Sequence, residues 1–272
     1  MLLENKQTGF ISALNKKIYY ELINAEFITE NNPVLIFLHE GLGSCSQWHD
    51  FPKIISDATN CPVLMYDRYG YGKSEQINEP RTINFLNKEA LEFLPEILKK
   101  LNLSDSKIIL VGHSDGGSIS VIYAGAFPEN VAGIITEAAH VFIEDISVNG
   151  ICLIADSENK PKWIKILKKH HGHNTVFMIN SWTETCLMPE FKFWNIENYL
   201  ETITCPVLAI QGNLDNYGTS AQLESIKKNV KENVDLLYIP DCGHVPHQQS
   251  TEIVKSKMTK FVLLVKKRLL TV

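Results

Sequence analysis

No stretch of this 272-residue chain approaches the roughly twenty consecutive apolar residues that a membrane span requires. The opening Met-Leu-Leu-Glu-Asn-Lys-Gln has no apolar signal core, so a cytoplasmic protein is expected. Six cysteines (Cys45, Cys61, Cys152, Cys186, Cys205, Cys242) include no C-x-x-C pair, which argues against a disulfide framework and a zinc cluster and leaves free thiols. Neither sign of charge dominates. With 26 Lys and Arg against 31 Asp and Glu, a net charge of −5 gives no reason to expect nucleic acid as a partner. Internal repeats and low-complexity linkers are absent too. What remains is 44% hydrophobic and 21% charged, an ordinary globular composition long enough for one large domain or one domain with an insertion.

Two motif-like segments carry little. His170-His171-Gly172-His173 has the look of a metal tract but follows the lysine-rich segment 160–169, and a solvated helix end is the simpler reading. Gly72-Lys73-Ser74 resembles the end of a phosphate-binding loop, yet the glycine needed five positions earlier is Asp67, whose carboxylate would oppose a phosphate. Neither a metal nor an organic cofactor is expected.

Short apolar runs rich in β-branched residues recur at 34–38, 62–66, 108–111 and 206–211, with helical segments between them, and further runs lie at 131–136 and 234–239. This alternation predicts parallel strands joined by crossover helices. Residues 11–27 alternate loosely and suit an opening antiparallel hairpin. Helical spacing predicts a helix over 83–101 that bends at Pro95. A second is expected over 250–270, with Ile253, Val254, Met258, Phe261, Val262, Leu264 and Val265 facing inward. About sixty residues separate the runs at 131–136 and 206–211, far more than the few usual for a connection. They form a helical insertion carrying Trp163, Phe177, Trp182, Phe191, Phe193, Trp194 and Tyr199, as suits a small core or the roof of an apolar pocket.

The run 108–111 ends abruptly in Gly112-His113-Ser114-Asp115-Gly116-Gly117. A Gly-x-Ser-x-Gly turn between a strand and a helix holds its serine exposed in one geometry, as a nucleophile requires. Such a serine needs a base and a group to orient that base. Asp215 follows the run 206–211 and His244 follows the run 234–239, so all three stand at strand carboxyl ends, which share one edge of a parallel sheet. Ser114, Asp215 and His244 are therefore the candidate triad, with Glu137 in reserve for the acid, Asp241 a weaker substitute, and His247 a neighbour of the base. An oxyanion needs backbone donors. Asp115 should supply one, and the glycine-rich loop His39-Glu40-Gly41-Leu42-Gly43-Ser44 the other, from either Gly41 or Leu42.

On these residues, together with the segment Asp67-Arg68-Tyr69-Gly70-Tyr71-Gly72-Lys73-Ser74 and the pairs Gly212/Asp215 and Gly243/His244, the chain resembles the α/β-hydrolase superfamily over essentially its whole length. The resemblance implies an α/β fold: a mostly parallel central sheet with helices on both faces and a helical cap after the sixth strand. The core would comprise 1–139 and 203–272 and the cap 140–202. It departs from the family in two places. Glu40 stands where many relatives have glycine and would either repel anionic substrates or pair with Arg68. The arginine of the 67–74 segment sits one place earlier than usual, so no role is carried over to it.

The resemblance implies a carboxylesterase-like serine hydrolase acting on a small molecule with an apolar acyl part. Thioester or acyl-carrier ester hydrolysis, carbon–carbon bond hydrolysis of a dienoic ketone, peptide cleavage and a non-catalytic ligand-binding role stay open beside it. A serine at position 114 disfavours the epoxide and haloalkane hydrolases of this fold, which use aspartate.

Overall fold

The apolar runs assemble into one eight-stranded sheet in the order β1-β2-β4-β3-β5-β6-β7-β8. Its strands are β1 (Lys6–Ala13), β2 (Lys16–Ile23), β3 (Val34–Leu38), β4 (Val63–Tyr66), β5 (Ile108–His113), β6 (Val131–Glu137), β7 (Val207–Gly212) and β8 (Val234–Ile239). The computed structural model describes residues 5–271. Residues 1–4 and 272, which fall in the opening stretch and at the ends of the expected core segments, lie outside that description. β1 pairs with β2, and β2 with β4, in antiparallel fashion; every other pairing is parallel. This is the expected α/β architecture.

The opening hairpin differs from its expected bounds. It begins at Lys6 and turns at Leu14-Asn15, which take φ 50° and 61° between the paired residues Ala13 and Lys16. Two consecutive positive φ values make the tight turn whose twist suits a hairpin, and Leu-Asn does not advertise it as Asn-Gly would. Residues 25–27, included in the expected hairpin, form a 3-10 turn instead.

The helices are α1 (Phe51–Thr59), α2 (Phe85–Lys88), α3 (Leu94–Lys100), α4 (Asp115–Ala126), α5 (Asp145–Ala155), α6 (Lys160–His171), α7 (Thr175–Cys186), α8 (Glu197–Leu200), α9 (Ser220–Asn229), α10 (Pro246–Gln249) and α11 (Thr251–Leu269). The helix expected over 83–101 forms over 85–100 but is not uniform. A π-helical turn, Glu89–Phe93, joins α2 to α3 and leaves Pro95 in the first turn of α3. A proline inside a regular helix loses a hydrogen bond and clashes with the carbonyl four residues back, at about 3 kcal/mol; the wider π turn just before Pro95, in which the Leu94 N–H reaches the Glu89 carbonyl, is where the helix accommodates it.

The strands carry apolar side chains on both faces, as a covered parallel sheet must. Val34, Ile36, Ile108 and Leu110 pack in one cluster with Phe85, Leu94, Ile97, Ile119, Ile122 and Leu223. Leu35, Phe37, Ile109 and Val111 pack in the other with Phe51, Ile55, Val254, Met258 and Phe261. On α11, Val254, Met258, Phe261, Val262 and Val265 are buried, whereas Ile253 and Leu264, expected inside, are about half exposed at 52% and 48%. The buried set follows i, i+4, i+7, i+8, i+11, a single stripe, and those two leucine-like residues flank it.

Between β6 and β7 the chain is helical, with α5, α6 and α7 packed on one another and α8 against α4 and α9. Among the described residues no helix is long and apolar enough to cross a membrane.

Candidate active site

Ser114 sits at the junction of β5 and α4 with φ 52° and ψ −117°, a conformation costing about 1–3 kcal/mol for a residue with a Cβ. The neighbours enforce it. The Ser114 N–H donates to the Glu137 carbonyl at 2.8 Å. A Cβ on Gly112 would collide with the Gly116 carbonyl, and one on Gly116 with the Leu38 carbonyl, so the turn closes only with glycine at both positions.

Loops after β7 and β8 bring the other two candidates to this serine. Ser114 Oγ–H faces His244 Nε2 at 3.0 Å, and His244 Nδ1–H lies 2.9 Å from both carboxylate oxygens of Asp215. Asp215 also accepts from Gln211 Nε2 at 2.6 Å and from the Tyr217 N–H at 2.8 Å. Burial opposes the Asp215 charge, but the His244 hydrogen bond and charge and the Tyr217 N–H outweigh it and hold the carboxyl below its ordinary range. For His244 the balance runs the other way. Burial pushes the imidazole below its ordinary value despite Asp215, so it is neutral near pH 7 and can accept a proton.

Neither reserve candidate bonds to His244. The buried Glu137 accepts the His247 N–H at 2.9 Å and faces His247 Nδ1 at 3.1 Å, forming a pair separate from Ser114. Asp241 lies in the turn after β8 with φ 52°.

The loop after β3 is a turn in which the Gly43 N–H donates to the Glu40 carbonyl at 3.0 Å. That carbonyl also accepts from His39 Nδ1–H at 2.8 Å and Arg68 Nη2–H at 2.7 Å. The Glu40 carboxylate does not pair with Arg68, contrary to one of the two expectations for it. It accepts from Gln47 Nε2 at 3.1 Å and lies 3.4 Å from His113 Nδ1. Burial disfavours charge on His113, but the Glu40 carboxylate overcomes this and raises its pKa, and Glu40 is in turn held well below the carboxylate range. Arg68, buried and 3.2 Å from Asp115 Oδ2, pairs with the residue after the serine instead.

A cavity of about 280 Å³ opens on Ser114 and His244. Its walls include Leu86, Ile143, Ile151, Trp163, Leu167 and Trp182, with Phe191 and Trp194 completing the aromatic part. Phe193, also counted among the aromatics of the insertion, is 83% exposed.

A model of the alpha/beta hydrolase fold matches residues 33–165, the stretch that holds β3, the glycine-rich loop, the elbow and the start of the helical insertion. The chain has the fold of the α/β hydrolases. A proline iminopeptidase of Saccharolobus solfataricus is 25% identical over 268 residues, covering 84% of this chain and 83% of that protein. A pimeloyl-[acyl-carrier protein] methyl ester esterase of Wigglesworthia glossinidia brevipalpis is 28% identical over 242 residues, with 78% and 86% covered. The crystal structure of an enol-lactonase from Burkholderia xenovorans superposes with a TM-score of 0.75 at 15% identity, covering 93% of this chain and 99% of that one.

The structure brings further side chains to these loops, in contacts that the sequence pattern did not show. The solvated helix end expected at 170–173 is only partly solvated, because His171 is buried between two core loops. Its Nδ1 accepts the Gly72 N–H at 2.9 Å, so its Nε2–H donates to the Leu42 carbonyl at 3.0 Å. His170 Nδ1 meets Ser46 Oγ at 2.7 Å. Trp182 Nε1–H of α7 donates to Asp115 Oδ2 at 3.2 Å, and the Tyr217 ring packs 4.5 Å from that of His244. A histidine directly after a lysine-rich amphipathic run is the one hint the sequence offered of the His171 contact.

Proposed function

We propose that this hydrolase cleaves a carboxylic ester with an apolar acyl part, through an acyl-enzyme on Ser114. The observation that carries the reading is the unbroken chain of hydrogen bonds from Asp215 through His244 to Ser114 Oγ, at the mouth of an apolar cavity. His244 Nε2 takes the serine proton as Oγ attacks the ester carbonyl, while Asp215 holds the ring and stabilises its charged form. The protonated His244 then gives its proton to the departing alcohol. Water, deprotonated by the same nitrogen, attacks the acyl-enzyme and frees the acid and Ser114.

The oxyanion is held by the N–H groups of Asp115 and Gly41. In a planar trans peptide the carbonyl and N–H point in opposite directions. Three donors draw the Glu40 carbonyl toward His39, Arg68 and Gly43, which turns the Gly41 N–H away from them. Helices α5, α6 and α7 act as the cap, giving the acyl part Trp163, Leu167 and Trp182 to lie against.

An ester is favoured over the N-terminal peptide substrate named for one relative. Capture of a charged amino terminus needs an uncommitted carboxylate in the cavity. Glu40 is engaged by Gln47 and His113, and Asp115 by Arg68 and Trp182. The test compares p-nitrophenyl octanoate with prolyl p-nitroanilide and repeats the ester assay with Ser114→Ala. Ester turnover is expected to exceed anilide turnover and to fall by about 10⁴ in the variant. Preference for the anilide would overturn the substrate class, and a variant that still turns over ester would remove Ser114 as nucleophile.

A further inference from the structure

Arg68 stands between the two segments that supply the oxyanion donors. Its Nη2 donates to the Glu40 carbonyl at 2.7 Å, on the loop after β3, and lies 3.2 Å from Asp115 Oδ2, at the start of the elbow helix. The guanidinium is only 2% exposed and stacks 4.5 Å over the Tyr71 ring. The Arg68 backbone is drawn in as well, since its N–H donates to His39 Nε2 at 3.1 Å while His39 Nδ1–H reaches the same Glu40 carbonyl. Trp182 of α7 adds a donor to the same Asp115 Oδ2.

These bonds have a geometric consequence. The Glu40 carbonyl belongs to the peptide plane that carries the Gly41 N–H, so whatever orients that carbonyl orients the donor. The Asp115 carboxylate is on the residue whose own N–H is the second donor. One guanidinium nitrogen therefore bonds to both halves of the proposed oxyanion hole.

We infer that Arg68 is a positioning residue that fixes the spacing and direction of the Gly41 and Asp115 N–H donors for the transition-state oxyanion. This rests on the acyl-enzyme reading given above. A preorganised donor pair acts on the charge that develops in the transition state and much less on the ground-state carbonyl. Loosening it therefore lowers kcat and leaves KM nearly alone. Lysine at this position keeps the charge but presents a point ammonium on a flexible stem instead of a planar fork held against Tyr71.

The experiment measures kcat, KM and inhibition by an alkyl trifluoromethyl ketone, which forms a tetrahedral oxyanion on the serine. It is run on the parent, Arg68→Lys and Asp115→Asn, with thermal unfolding recorded for each. Arg68→Lys is expected to lose about a hundredfold in kcat and a similar factor in ketone affinity, with KM within about threefold. Asp115→Asn keeps its own N–H but weakens the bond to Arg68, and it should lose about tenfold in both, which keeps the test decisive if the lysine variant does not fold. A folded Arg68→Lys with kcat within threefold of the parent, or a kcat loss in either variant with parental ketone affinity, would overturn the role. Failure of the underlying reading looks different, because Ser114→Ala would then retain turnover whatever the Arg68 variants do.

Discussion

Acidification should loosen the contact that His171 makes with the core, by an amount that follows from its burial. The ring is 2% exposed and uses both nitrogens, Nδ1 accepting from Gly72 and Nε2–H donating to Leu42. A second proton would set a donor on Nδ1 against the Gly72 N–H. Burial is the main cause that lowers its pKa from 6.5 to about 4, the Leu42 bond opposing. Between those values the unfolded chain holds more protons at this residue than the folded one, so stability is complete above about pH 6.5 and declines as the pH falls toward 4. The interval from 6.5 to about 4, at about 1.4 kcal/mol per pH unit, amounts to between about 3 and 4 kcal/mol, most of it lost by about pH 4.5. Other groups titrate in the same range, so the measurement is a difference. Urea unfolding of the parent and of His171→Gln at pH 7.5 and pH 4.5 should show the parent's advantage shrinking by about 2–3 kcal/mol on acidification. An advantage that stays constant between the two pH values would refute a buried neutral imidazole at this site.

Because His244 must be neutral to accept the serine proton and burial lowers its pKa, kcat/KM should rise with pH through an apparent pKa below 6.5. Initial rates on a p-nitrophenyl ester from pH 4.5 to 8 check this, and an inflection at or above 6.5 contradicts it. Asp215→Asn should cost about 10³–10⁴ in kcat by removing the negative charge beside His244 and setting an amide that can donate to Nδ1 and hold the wrong tautomer. Glu137→Gln should stay within about threefold in steady-state assays, because its carboxylate meets His247 and not His244. The opposite ranking of those two variants would move the acid to β6.

Some features could be read directly from local order along the chain. The runs that became β3 and β8 have the expected bounds, because β-branched and apolar residues bounded by turn residues leave little choice. The elbow is legible in part for a similar reason: Gly112 is required by the Gly116 carbonyl four residues on, whereas Gly116 is required by the Leu38 carbonyl of a distant strand. The hairpin was misplaced because Leu14-Asn15 is a weak turn signal whose positive φ values are selected by the pairing of β1 with β2. The π-helical turn before Pro95 was missed because apolar spacing is nearly the same for a helix with or without one inserted residue.

At the site, residue types determined which chemistry was available, and three-dimensional packing decided which residue meets which. A serine between two glycines, with an aspartate and a histidine after later strands, is visible in the order of the letters because sheet topology carries strand ends to one edge. The partners of Glu40, Arg68 and His171 are not. Glu40 turned to His113 and Gln47, Arg68 to Asp115, and His171 to Leu42 and Gly72, across separations of 7 to 129 residues. Hydrogen bonds of this kind depend on distances of a few tenths of an ångström between loops, and only the closed tertiary structure sets those.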